Sequence, residues 1–89
     1  MITPTSVQGR VLNIVRESLT VENIEIEQDL IESGLLDSLA LVGLMMALED
    51  GFEITISPEE LDIEDYRSIK NMSKMVARIS FENVLRNYA

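Results

Sequence analysis

Residues 32–50 read ESGLLDSLALVGLMMALED, more apolar side chains than one buried helix stripe can use. At about 100° per residue, Leu41, Leu44, Met45, Leu48 and Phe52 fall on one side of a helix. That is the stripe of a helix packed on a core. Leu39, Val42 and Met46 cluster on roughly the opposite side, with Gly43 and Glu53 beside them. Either the long connection before the helix covers this second face, or partner proteins do. Methionine suits adaptable contacts of the second kind. The helix is predicted from Ser38 to Asp50, with Asp37 as its N-cap and Gly51 as its stop. Ser38 then stands beside the second face at the positive end of the helix, where backbone N–H groups favour an anionic substituent such as a phosphate ester. A serine at a helix start is commonly no more than a cap, but Asp37 can already fill that role.

Working outward, a first helix is predicted from Pro4 to Ser18, with Val7, Val11, Ile14, Val15 and Leu19 at helical spacing. Thr3 before Pro4, or Thr5 with Gln8, supplies its start signal. The connection from Thr20 to Leu36 is too polar for a strand. Its apolar residues Val21, Ile24, Ile26, Leu30, Ile31, Leu35 and Leu36 are expected to pin it across the helices, with Gly34 allowing a tight turn. Downstream, Ser57-Pro58-Glu59-Glu60 fits a cap, a proline start and a capping-box glutamate, and Asp62 can cap a second short turn. Ile54-Thr55-Ile56 alternates like a strand but has no evident partner strand. A last helix begins near Ser68, carries Ile69, Met72, Val76 and Ile79 at helical spacing, and continues through Val84 and Leu85. The fold class is therefore all-α: a small bundle of three main helices plus a short one, with a long loop between the first two.

The chain has 89 residues, which makes residues 1–89 one domain by default, a monomer, and leaves little room for an enclosed active site. It has no cysteine and no histidine. Thiol chemistry, disulfides, the commonest general base and the commonest transition-metal ligand are thereby missing from the polypeptide. No metal site and no catalytic residue is assigned. No apolar run is long enough to span a membrane and the N-terminus lacks a signal-peptide block, so the expectation is a soluble, cytoplasmic protein. The net charge is −9 and unevenly spread. No basic residue lies between Arg16 and Arg67, while 15 of the 16 acidic residues do. Such a surface repels nucleic acid phosphates and steers basic partner surfaces toward itself.

Residues 29–52, DLIESGLLDSLALVGLMMALEDGF, resemble the attachment region of acyl carrier proteins and related peptidyl and aminoacyl carriers. The family pattern of Gly, hydrophobic, Asp, Ser, hydrophobic reads here as Gly34, Leu35 and Leu36, Asp37, Ser38, Leu39. The likeness runs on through MALEDGFEITI and YRSIKNMSKMV, roughly residues 29 to 76. It implies that Ser38, next to Asp37, carries a covalent 4'-phosphopantetheine arm derived from coenzyme A. The arm ends in a thiol that holds an acyl or aminoacyl group as a thioester. The protein would then be a non-catalytic carrier whose sulfur arrives with the cofactor. The resemblance also implies that Leu39, Val42 and Met46 dock partner enzymes, and that Glu49 and Asp50 meet their basic patches. Those partners are a phosphopantetheinyl transferase, a loading ligase and downstream transferases or synthases. Carriers of this kind serve fatty-acid, polyketide and aminoacyl pathways. Where many fatty-acid carriers have acidic residues, this chain has Ala40 and Gly43. GFEITISPEELDIEDYRSI looks more like stand-alone aminoacyl or D-alanyl carriers and carriers of specialised pathways.

Two other functions stand beside this one. A helical adaptor that never carries a cofactor would use Leu39, Val42 and Met46 as a groove-binding face. Calcium sensing through DIEDYRSIKNMS is disfavoured, because the stretch lacks the glycine and terminal glutamate of an EF-hand loop.

Overall fold

The computed structural model describes residues 4–87, the side chains of residues 4–6, 60 and 87 excepted. Helix α1 spans Pro4–Leu19, α2 spans Ser38–Phe52 and α3 spans Ile69–Asn87. Two short 3₁₀ turns, Pro58–Glu60 and Ile63–Tyr66, fill the connection between α2 and α3. Among the described residues there is no strand, so the all-α reading holds. Thr3 lies outside the described residues.

The periodic positions of the sequence build the core. Val7, Val11 and Val15 of α1 are buried against Leu41, Leu44 and Leu48 of α2 and Ile69, Met72, Val76 and Ile79 of α3. α2 runs antiparallel to α1: Arg10 donates to the Gly51 carbonyl, while Ser18 of α1 lies by Ala47. The loop of residues 20–37 folds over one end of this core. Ile24, Leu30 and Leu36 are buried, and Val21, Ile26, Ile31 and Leu35 are partly buried. Its backbone is tied down as well, since Leu30 N–H donates to Arg67 O at 2.8 Å and Lys70 N–H to Ile26 O at 3.0 Å. Gly34 takes φ +82° within this loop, a conformation that glycine adopts without the steric cost of a Cβ.

Three local expectations need correction. Gly51 does not stop α2. The helix continues to Phe52 and Glu53 takes the left-handed cap position at φ 53°, its N–H bonding to Glu49 O. Gly51 serves packing instead, because a Cβ there would lie 2.6 Å from Ile14 Cδ1. Ser57 makes no side-chain capping bond, the turn after it being only three residues long. Asp62 does cap its turn, accepting from Glu64 N–H at 3.0 Å. Phe52, placed in the core stripe, is half-buried and stacks beneath Arg10, with the guanidinium carbon 4.4 Å from the ring centroid. The alternation in Ile54-Thr55-Ile56 survives without a sheet: both isoleucines are buried, Thr55 is exposed, and Glu49 accepts both isoleucine N–H groups.

Arg67 joins the loop to the second 3₁₀ turn. Its guanidinium donates to Asp29 Oδ2 and to Glu64 Oε2, each at 2.7 Å. Asp29 also accepts N–H bonds from Glu32 and Ile31 through Oδ1, which closes the tight turn before Gly34. Beside Arg67 sits Tyr66, fully buried, whose hydroxyl has no hydrogen-bond partner among the described residues. Burial first, then the Asp65 and Glu49 carboxylates, push its pKa up to about 12, so it stays protonated.

Candidate functional site

The start of α2 divides its work between two neighbouring residues. Asp37 has extended backbone (φ −108°, ψ −177°), and its Oδ1 accepts the Ala40 N–H at 2.8 Å. Asp37 O accepts the Leu41 N–H, also at 2.8 Å. The capping role is therefore filled by the aspartate. Ser38 follows as the first residue of the helix and is exposed. Among the described residues no side-chain hydrogen bond engages its hydroxyl. The first-turn N–H groups of a helix have no helical acceptor and carry the positive end of its dipole. With the Ala40 and Leu41 N–H groups taken by Asp37, an anionic ester on the exposed Ser38 Oγ would lie by those of Ser38 and Leu39.

Below Ser38 the outer side of α2 is apolar and uncovered. Leu39 is 84% exposed, Val42 55% and Met46 64%. The alternative in which the long loop covers this face is overturned, because the loop's apolar residues turn into the core at the end of the bundle. At offsets of three, seven and ten from Leu39, Val42, Met46 and Glu49 make one continuous helical stripe, with Asp50 beside it. Met46, Glu49 and Asp50 share one shallow surface depression. Gly43 adds no bulk, since a Cβ there would meet nothing within 4 Å. Asp50 is exposed and Glu49 is half-buried. Glu49 has a second duty that the sequence did not reveal: its Oε2 accepts the Ile56 N–H at 2.9 Å and holds the segment after α2. No local signal marks that bond, which joins positions seven residues apart across the end of α2.

Ser38 thus presents a free hydroxyl at a helix start, with the cap supplied by its neighbour and an apolar stripe beside it. A family described as "Phosphopantetheine attachment site" matches this chain over residues 9–76. The chain belongs to that family. Its cofactor is covalently attached 4'-phosphopantetheine. Among curated relatives, the D-alanyl carrier protein of Lactococcus lactis subsp. cremoris is 34% identical over 59 residues, covering 66% of this chain and 75% of that protein. Aminoacyl carrier protein 2 of Bradyrhizobium diazoefficiens is 35% identical over 78 residues, covering 83% of this chain and 86% of that one. The D-alanyl carrier protein of Streptococcus suis is 32% identical over 75 residues, covering 82% and 94%. The chain is thus a carrier protein with a phosphopantetheine attachment domain. Among its described residues no helix is long and apolar enough to cross a membrane.

Proposed function

We propose that this carrier holds an acyl or aminoacyl group on an arm esterified to Ser38 Oγ and presents it to partner enzymes. The observation that carries this reading is the exposed Ser38 hydroxyl at the first position of α2, with the cap already supplied by Asp37. The residues present fit the group. Ser38 supplies the oxygen for the phosphodiester, and the N–H groups of the first turn face the phosphate charge. When bound, the arm supplies a thiol for thioester formation, which a chain without cysteine lacks. The polypeptide itself performs no catalysis and works by exposure and docking.

Leu39, Val42 and Met46 form the docking stripe, and Glu49 and Asp50 its acidic end. This stripe meets a phosphopantetheinyl transferase, a loading ligase, and the transferases or synthases that take the cargo onward. Two observations favour a small aminoacyl cargo such as D-alanine over a housekeeping fatty acyl chain. Relatives named as D-alanyl and aminoacyl carriers align over most of the chain, and Ala40 and Gly43 leave the stripe less acidic than in many fatty-acid carriers. Because coenzyme A supplies the arm, we place the modification in the cytoplasm.

Incubation of the unmodified protein with coenzyme A and a promiscuous phosphopantetheinyl transferase tests the assignment. Intact mass should rise by one phosphopantetheine and should not rise in Ser38→Ala. A gain that survives Ser38→Ala, or no gain at all, refutes it and favours an unmodified adaptor.

A further inference from the structure

α3 turns a row of short side chains, Ser73, Ala77 and Ser80, toward the N-terminal turns of α1. Longer residues there would close the space; instead a groove of about 610 Å³ remains, walled by Val7 of α1 and by Phe52 at the end of α2. That volume lies in the range of sites for small molecules. The buried Ser73 hydroxyl is spent on the Ile69 carbonyl at 2.7 Å, so the floor offers an apolar surface.

The rim has the opposite sign from the chain. In a protein of net charge −9, no carboxylate among the described residues lines this groove, whereas Lys70 and Lys74 do; both lysines also border a neighbouring depression that holds Glu27 and Asp29. Lys70 is neutralised in part by Glu27 at 3.3 Å. Lys74 is exposed and, among the described residues, enters no ion pair. Phe52, the one described lining residue from α2, ends that helix roughly 21 Å along the axis from Ser38 at 1.5 Å per residue, and Ser38 does not line the groove.

We propose that this groove binds a free amphipathic carboxylate. The apolar chain lies against Val7, Phe52 and Ala77, and the anionic end sits beside Lys74. Burial of the chain supplies most of the affinity. The cationic rim selects an anion over a neutral or cationic homologue, in a molecule whose overall field would otherwise repel it.

The test uses Ser38→Ala protein, which keeps the groove and cannot carry an arm, so failure of the carrier assignment leaves the outcome readable. Calorimetric titration with decanoate should show one saturable site, and decyltrimethylammonium should bind more weakly. Ala77→Phe fills the groove from an exposed position and should weaken decanoate about tenfold, or about 1.4 kcal/mol. Lys74→Glu should weaken it about threefold, as expected for an exposed charge. Absence of a saturable site, equal binding of the cationic homologue, or undiminished binding by folded Ala77→Phe overturns the proposal.

Discussion

Asp37 and Ser38 are adjacent, and each is of a residue type that commonly caps helices, yet only one does so here. The Asp37 carboxylate bonds the Ala40 N–H, and the Ser38 hydroxyl stays free. The two substitutions should therefore differ in cost. Asp37→Ala should lower stability by about 1 kcal/mol, the ordinary cost of a lost N-cap. Ser38→Ala should leave stability within about 0.5 kcal/mol of the parent, as for an exposed position without partners. Urea denaturation of the unmodified proteins measures both. A larger loss for Ser38→Ala than for Asp37→Ala would assign the cap to the serine. Asp37 was legible as the cap because acidic and hydroxyl residues before an apolar run carry that signal. Gly51 misled for a related reason: glycine marks helix ends when it takes the left-handed conformation, but here Glu53 takes it and Gly51 yields room to Ile14.

Among the elements, the connection between α1 and α2 depends most on electrostatics. Arg67 holds Asp29 of that loop and Glu64 of the second 3₁₀ turn. The Glu32 N–H first, then the Arg67 guanidinium, hold the Asp29 carboxyl below its usual range; Arg67 does the same to Glu64. The same two partners raise the Arg67 pKa, so the guanidinium stays charged throughout. Both carboxyls are thus more acidic folded than unfolded. Their contribution to stability is present above the ordinary carboxylate values of 3.8 and 4.5 and is lost as pH falls through the lowered folded values. Denaturation at neutral pH and near about pH 3 should show this loss in the parent. The loss should be smaller in Arg67→Ala, which keeps only the Glu32 and Ile31 bonds to Asp29. An equal loss in both proteins would place the acid sensitivity elsewhere. The pairing of Arg67 with Glu64 was open to reading at three-residue spacing. The pairing with Asp29 was not, because it joins positions 38 residues apart.

At the level of the whole molecule, the acidic middle of the chain and the apolar stripe of α2 offer two ways to recognise a partner. If long-range charge steers the modifying enzyme, the rate of arm attachment should fall several-fold between about 0.05 M and 0.5 M salt, as the Debye length contracts. A rate independent of salt would assign recognition to Leu39, Val42 and Met46 alone. By itself the sequence determined the three helices, the core stripe, the cap at Asp37 and the availability of Ser38, because these follow from spacing and from residue chemistry within one helical turn. Tertiary structure alone decided that the loop leaves Leu39, Val42 and Met46 uncovered, that Glu49 holds Ile56, and that Val7, Phe52 and Ala77 enclose a cation-rimmed groove. Each of these depends on where segments distant in sequence come to lie. That placement is set by the summed burial of the core and not by any local pattern.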